Sequence, residues 1–283
     1  MLPWGSRTFI MGILNVTPDS FSGDGLMARS DMVAAAVEQA QRFVKAGADI
    51  LDIGGESTRP GAQQVSAAEE MERVLPVLHA LRGAVLDVIL SIDTYKSDVA
   101  EEALKITPAW INDVWGLRAD QRLAEVAARS RFPLVLMHNH SNPNSVELQA
   151  RLGGRYTGMH YADLLEDVKR ELLESVALAR AAGVADEAII LDPGLGFGKT
   201  VEQNLELIDR TGEIRALGFP VLLGPSRKSF VGYTLGLPPD QRIEGTAAAA
   251  AIGIARGADI IRVHDVEFMV RVARMADAIA RKK

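Results

Sequence analysis

The stretch Pro133-Leu-Val-Leu-Met-His-Asn139 decides the fold class. Four apolar residues run without interruption, and a polar pair closes the run. A strand with one wet face would alternate; a continuous apolar run is buried on both faces, as in a parallel sheet covered by helices. Seven more runs share this character: Thr8–Val16, Asp49–Gly55, Leu86–Thr94, Trp110–Val114, Ala188–Gly194, Pro220–Pro225 and Asp259–Asp265.

The segments between them read as helices. Met32, Val33, Ala36, Val37, Ala40, Phe43 and Val44 recur at helical spacing, and Gly47 follows as a stop. Ser66 with Glu69, and Thr200 with Gln203, form capping-box patterns ahead of apolar periodicity. Tyr161–Ala182, Ala247–Arg256 and Val266–Ala280 read as three further helices. Eight strand–helix units without a Pro-, Gly- or Ser-rich divider predict a single (β/α)8 TIM barrel spanning residues 1–283 as one domain. The alternative, an open doubly wound sheet, often carries a Gly-rich first turn, and Gly12–Thr17 does not supply one. Two connections are long, and loops of this length without their own structure are often lids or mobile binding loops: Pro18–Ser30 and His140–His160. Both follow strand C-termini, the catalytic face of a barrel.

Composition narrows the function. With 31 Lys and Arg against 37 Asp and Glu, the net charge is -6, which argues against a sequence-independent nucleic-acid binder. No cysteine is present, so disulfides, zinc–thiolate sites and Cys nucleophiles are excluded. The start Met1–Val16 lacks the pattern of a signal peptide, and the longest nearly apolar stretch, Thr246–Ala255, is shorter than the about 20 residues a membrane span needs. A soluble cytoplasmic protein with no membrane partner is expected.

Polar residues gather where the strands end: Asn15, Asp52 with Glu56, Asp93, Asn112 with Asp113, His138, Asp192, Ser226 to Lys228, and Arg262 with His264. Any one of them could be capping the next helix. The whole set at one end of the barrel points to a site. Asp192-Pro-Gly-Leu-Gly-Phe-Gly-Lys-Thr200 resembles a phosphate loop but has Pro193 where the P-loop needs glycine. Its glycines suit a tight turn and close ligand approach, and Lys199 reads as a surface cation. His138-Asn139-His140 invites a metal reading, with Asp192 and His264 completing the set; a core-edge histidine followed by a solvent-facing loop is the plainer account. Arg262 lies within an apolar run, so its charge should be paired or ligand-bound.

Taken together, the segments Met11–Ser22, Asp52–Gly61, Ser91–Thr94, Ile111–Asp113, Leu136–His138, Asp192–Lys199, Ser226–Ser229 and Arg262–Asp265 resemble the dihydropteroate synthase family from about Thr8 onward. The resemblance implies a transferase of folate biosynthesis. Such an enzyme condenses 6-hydroxymethyl-7,8-dihydropterin pyrophosphate with 4-aminobenzoate, releasing pyrophosphate. It implies that Asp192, Asn112 and Lys228 bind the pterin edge and that Met137 and Phe197 cover the ring. Arg262 and His264 would hold pyrophosphate, helped by the last helix's N-terminus, and Asn15 a magnesium ion. Asp93, Lys228 and Arg262 would be the catalytic set, with Asp93 facing the developing cation. Phe21, Thr58, Arg59 and Pro60 would close over 4-aminobenzoate, whose carboxylate would meet Ser229 and a helix N-terminus. Family members are homodimers through their last helices and targets of sulfonamides. Two departures stand out: Phe21-Ser22-Gly23-Asp24-Gly25 where the family often reads Phe-Ser-Asp-Gly-Gly, and the Asn139–Asn144 loop. A related methyltransferase using methyltetrahydrofolate is the nearest alternative, but has little use for Lys228, Arg262 or Thr58–Pro60. A non-enzymatic pterin-binding paralogue and a metal hydrolase built on His138 and His140 are more distant.

Overall fold

The structure, a computed structural model, describes residues 2–17, 29–57, 64–84, 87–157 and 159–281. All eight expected strands are present. They are β1 (Phe9–Asn15), β2 (Ile50–Gly54), β3 (Ile89–Asp93), β4 (Trp110–Asp113), β5 (Leu134–Met137), β8 (Ile189–Asp192), β9 (Leu222–Leu223) and β10 (Ile260–Val263). Every pairing among them is parallel. The sheet runs β8-β5-β4-β3-β2-β1-β10-β9. A parallel bridge between Leu191 and Val221 closes it into a barrel, with Leu191 N–H donating to the Pro220 carbonyl at 2.9 Å.

Parity along the strands explains the site. Successive side chains point to opposite faces, so residues two apart share one. Phe9, Met11, Ile50, Trp110, Val135, Ile190, Leu222 and Ile260 form one buried cluster inside the barrel, capped below by Trp4 edge-on to Phe9. Two residues further along these strands stand Asp52, Asn112, Met137, Asp192 and Arg262. The same inward parity that builds the apolar floor therefore delivers polar groups to the mouth. The intervening residues, such as Leu51, Ile53, Ile111, Leu136, Leu191 and Val263, face outward and join the larger core under the helices.

The helices are α1 (Arg29–Ala46), α2 (Ala67–Ala84), α3 (Ser97–Ile106), α4 (Arg122–Ser130), α5 (Leu164–Ala182), α6 (Val201–Asp209), α7 (Thr211–Arg215), α8 (Ser229–Leu235), α9 (Ile243–Ala255) and α10 (Val266–Ala280). None among the described residues is long and apolar enough to cross a membrane. The long connection at His140–His160 has structure of its own. It holds a 3-10 turn at Pro143–Ser145 and an antiparallel hairpin, β6 (Val146–Gln149) with β7 (Gly153–Tyr156). Most of β6 is exposed, so no apolar periodicity marks it.

Candidate active site

Arg262 is the hub of one wall. It lies on β10, which pairs β1, and β1 in turn pairs β2. Its Nε donates to Asp52 Oδ2 at 2.6 Å and its Nη2 to Asp93 Oδ2 at 2.5 Å. Asn112 Nδ2 donates to the same Asp52 oxygen at 2.9 Å. Asp52 Oδ1 is buried without a hydrogen-bond partner among the described residues. Burial disfavours the guanidinium, yet Asp52 and Asp93 outweigh it and hold its pKa above the ordinary value. Burial pushes Asp93 up to about 7, against the pull of Arg262. The sequence singled out Asp52 as a strand-end residue without a role; its inward parity with Ile50 was the signal for one.

A second wall is built from loops. Asp192 ends β8 and accepts from Gly194 N–H at 2.7 Å; burial raises its pKa. Lys228 donates to the Leu195 carbonyl, with its Nζ 4.1 Å from the Phe197 ring centroid. Burial pushes Lys228 down to about 7, against the attraction of Asp192. Met137 is buried at the end of β5, and Ser229 opens α8. His264 Nδ1 lies 2.9 Å from Ser226 Oγ, which also accepts the His264 backbone N–H at 3.1 Å. Asn15, half-buried, ends β1. Phe21, Thr58, Arg59 and Pro60 lie outside the described residues.

The expectation that Lys199 is a surface cation is wrong. It is only 2% exposed, and its Nζ donates to the carbonyls of Gly194 and Phe197, each at 3.0 Å, beside His138 Nδ1 at 3.0 Å. Burial pushes its pKa down to about 7. Two glycines make this loop possible by close approach to β5 and its extension. At Gly194 (φ 72) a Cβ would lie 1.9 Å from the His138 carbonyl oxygen, and at Gly198 (φ 65) 2.3 Å from that of His140. The close approach expected for a ligand is thus made to backbone.

His138 and His140 do come together, but with Glu171 of α5 rather than with Asp192 and His264. Glu171 Oε2 lies 2.6 Å from His140 Nε2 and 2.9 Å from Arg118 Nη1. It is also 3.2 Å from His138 Nε2, outside hydrogen-bond geometry. Arg118 already supplies that carboxylate with a cation. Burial drives His138 down to about 3, so its ring is neutral.

The mouth therefore offers a carboxylate and an amide for a polar ring edge, an apolar cover, and an arginine fork beside a second carboxylate. Known proteins resemble the chain along nearly its whole length. The profile of the pterin binding enzyme family matches residues 11–264. A dihydropteroate synthase of Clostridium beijerinckii is 47% identical over 98% of this chain and 96% of its own. The structure of a dihydropteroate synthase from Clostridium difficile, solved in the presence of pteroic acid, superposes at a TM-score of 0.90 with 47% identity, covering 100% of both chains. That of Xanthomonas albilineans, with 4-aminobenzoic acid, superposes at 0.86 with 39% identity over 97% of this chain and 94% of the other. The chain belongs to the pterin-binding enzymes, within the dihydropteroate synthase family.

Proposed function

We propose that the barrel mouth, acting as one cytoplasmic domain, joins 6-hydroxymethyl-7,8-dihydropterin pyrophosphate to 4-aminobenzoate. The reaction is a transfer: the C–O bond to pyrophosphate breaks with its electron pair leaving on the anion. The arylamine lone pair then forms the C–N bond, and a proton is released. The carrying observation is the contact between Arg262 and Asp93 at 2.5 Å. Charge separates along the breaking bond, negative on pyrophosphate and positive on the dihydropterin. A cationic fork and a carboxylate held side by side can meet both ends, and such preorganised charge is where most rate enhancement arises. His264 would assist Arg262 on the pyrophosphate. Asp192, Asn112 and Lys228 would read the pterin edge through acceptor, mixed and donor groups, with Met137 and Phe197 against the ring. Ser229 would receive the aminobenzoate carboxylate, the subsite a sulfonamide would contest, and Phe21, Thr58, Arg59 and Pro60 would cover it.

Magnesium fits this mouth as a substrate-borne ion. Asn15 brings one neutral hard oxygen, which suits it. Among the described residues, the group of three candidate ligands lies at His138, His140 and Glu171, not beside Asn15. When bound, the ion would neutralise pyrophosphate charge. Calorimetry should find weak magnesium binding to the free protein and much tighter binding with pyrophosphate present; tight binding to the protein alone would overturn this.

A homodimer would use α9 and α10, where Ile252, Met275 and Ile279 are exposed and line or flank an apolar groove with Phe268 and Val272. Met275→Glu should then shift sedimentation from dimer to monomer. The reaction itself is tested by incubating the protein with both substrates. Pyrophosphate release with formation of dihydropteroate is expected. Methyl transfer from methyltetrahydrofolate without pyrophosphate release would overturn it.

A further inference from the structure

We propose that Arg242 is a positioning residue that holds the segment carrying Lys228 and Ser229 in its working shape. The inference rests on the substrate roles given to those two residues above. Arg227, immediately before Lys228, sits in the left-handed region at φ 54. A residue with a Cβ is strained there. Such strain persists only where the surroundings over-determine it, and it clusters at functional sites.

Three contacts over-determine Arg227. Its N–H donates to Thr246 Oγ1 at 3.1 Å. Its guanidinium grips Asp265 through Nε at 2.9 Å and Nη2 at 2.5 Å. Its carbonyl accepts from Arg242 Nη1 at 3.0 Å. Arg242 also joins this segment to two others, donating from Nε to the Leu237 carbonyl at 3.0 Å and from Nη2 to the Leu152 carbonyl at 2.9 Å. Leu152 lies in the turn of the β6–β7 hairpin, so the hairpin is the outer anchor. Tyr233 Oη donating to Gly153 O at 3.1 Å and Arg151 Nη2 to Gly236 O at 2.9 Å fasten it further to α8 and its end.

The chemistry of the joint calls for arginine. Its planar fork directs N–H groups to three carbonyls at once, which an ammonium on a flexible stem cannot copy. Arg242 is 2% exposed and has no ion pair with a carboxylate among the described residues. A buried cation held by carbonyls alone is a poor device for stability, so a geometric role is the better account of it. The fold makes room for it: a Cβ on Gly232 of α8 would lie 2.1 Å from Arg242 Nη2. Beyond the joint, Lys228 reaches toward Leu195 O and the Phe197 ring. Arg262 is held separately, by Asp52 and Asp93.

Arg242→Gln, which removes the fork, separates positioning from mere structure. The affinity for the pterin alcohol should fall and the KM for 4-aminobenzoate should rise, each by up to about 10²-fold, the cost of a misplacement near 1 Å. Affinity for inorganic pyrophosphate should stay unchanged. Wild-type affinity for all three ligands would overturn the proposal. So would equal loss of all three. Should Arg242→Gln not fold, Arg242→Lys keeps the charge without the fork and is read by the same titrations. Wild-type formation of dihydropteroate is the separate check on the underlying function: its failure would sink that reading, whereas a working wild type with an indifferent Arg242 would sink this one.

Discussion

The two walls of the mouth hold their buried cations by different means. On the wall formed by β2, β3 and β10, Arg262 lies between Asp52 and Asp93, charge against charge. On the wall formed by the loops after β8 and β9, Lys199 and Lys228 lie against the carbonyls of Gly194, Phe197 and Leu195. The first arrangement raises the arginine pKa, while the second leaves both lysines near 7. A carbonyl offers a dipole where a carboxylate offers a full charge, so it satisfies a donor without repaying the loss of water. On the strand wall Arg262 thus keeps its charge at neutral pH, and the loop wall is fixed in shape.

The sharpest way to break this contrast is Asp93→Asn. The change keeps size and removes the charge that faces the developing cation. Turnover should fall roughly 10²–10³-fold, with modest change in affinity for the pterin alcohol. Asp192→Asn should act the other way, weakening pterin binding first, because a donor replaces an acceptor. Titration and single-turnover rates on both variants check the division. Equal effects on affinity would show that the two carboxylates do the same work.

Arg262 gives a smaller but more revealing effect. Loss of a charged hydrogen bond of about 1.5–3 kcal/mol means about 10–150-fold weaker pyrophosphate binding. A side chain that touched only the phosphates would leave the pterin alcohol unaffected. The pairing with Asp52 and Asp93 changes that expectation. Arg262→Ala strands two carboxylates, so folding stability should drop by about 3–5 kcal/mol, and the pterin alcohol should also bind less well. Arg262→Lys keeps the charge and loses only the fork, so it should weaken pyrophosphate more than the alcohol. Equal losses for the two ligands in Arg262→Lys would make Arg262 structural.

The difference between the walls also marks what was legible in the sequence. Strands such as Leu134–Met137 and Ile189–Asp192 declared themselves because burial on both faces leaves a continuous apolar run. Polar residues at their ends were visible for the same reason. The joining of Asp52 to Arg262 was not, since 210 residues separate them and only barrel closure makes them neighbours. Lys199 was misread because its acceptors are backbone carbonyls, which every sequence has, arranged by left-handed glycines. The hairpin and Arg242 were missed together: an exposed strand carries little apolar signal, and its anchor binds carbonyls.

The pH dependence of stability separates the walls directly. Lys199 ordinarily titrates at 10.5 and in the fold near 7. Between those values the unfolded chain binds more protons, so stability rises with pH across that window and this group adds no slope below it. Asp93 runs the other way. Its value moves from 3.8 up to about 7, so the folded state binds more protons between them and stability falls as pH rises toward 7. Melting temperatures from pH 5 to 10 should therefore show a shallow minimum near neutrality from these groups. Lys199→Met should remove part of the alkaline rise, Lys228 supplying the rest, and Asp93→Asn should flatten the acid limb. An undiminished alkaline rise in Lys199→Met would mean that Lys199 stays charged and its wall is not as described.

The smallest effect asks what holds the loop wall in shape. Thr200 caps α6 directly after the glycine-rich loop, with Gln203 N–H donating to its Oγ1 at 3.3 Å and Thr200 N–H donating to Gln203 Oε1 at 2.8 Å. Removing such a cap costs about 1 kcal/mol. The loop itself is gripped from within. Lys199 holds two of its carbonyls, and buried Asn204 accepts from Gly196 N–H at 2.5 Å while donating to the Thr200 carbonyl at 2.6 Å. Neither grip uses the Thr200 hydroxyl. Thr200→Ala should therefore lower the melting temperature while kcat and both KM values stay within about twofold of wild type, the scatter expected of a change away from the site. Lys199→Met should raise the pterin KM, because it frees the Gly194 and Phe197 carbonyls that the amine holds. A KM change in Thr200→Ala as large as that in Lys199→Met would place the control of the loop in the helix that follows it instead of in the buried amine beneath it.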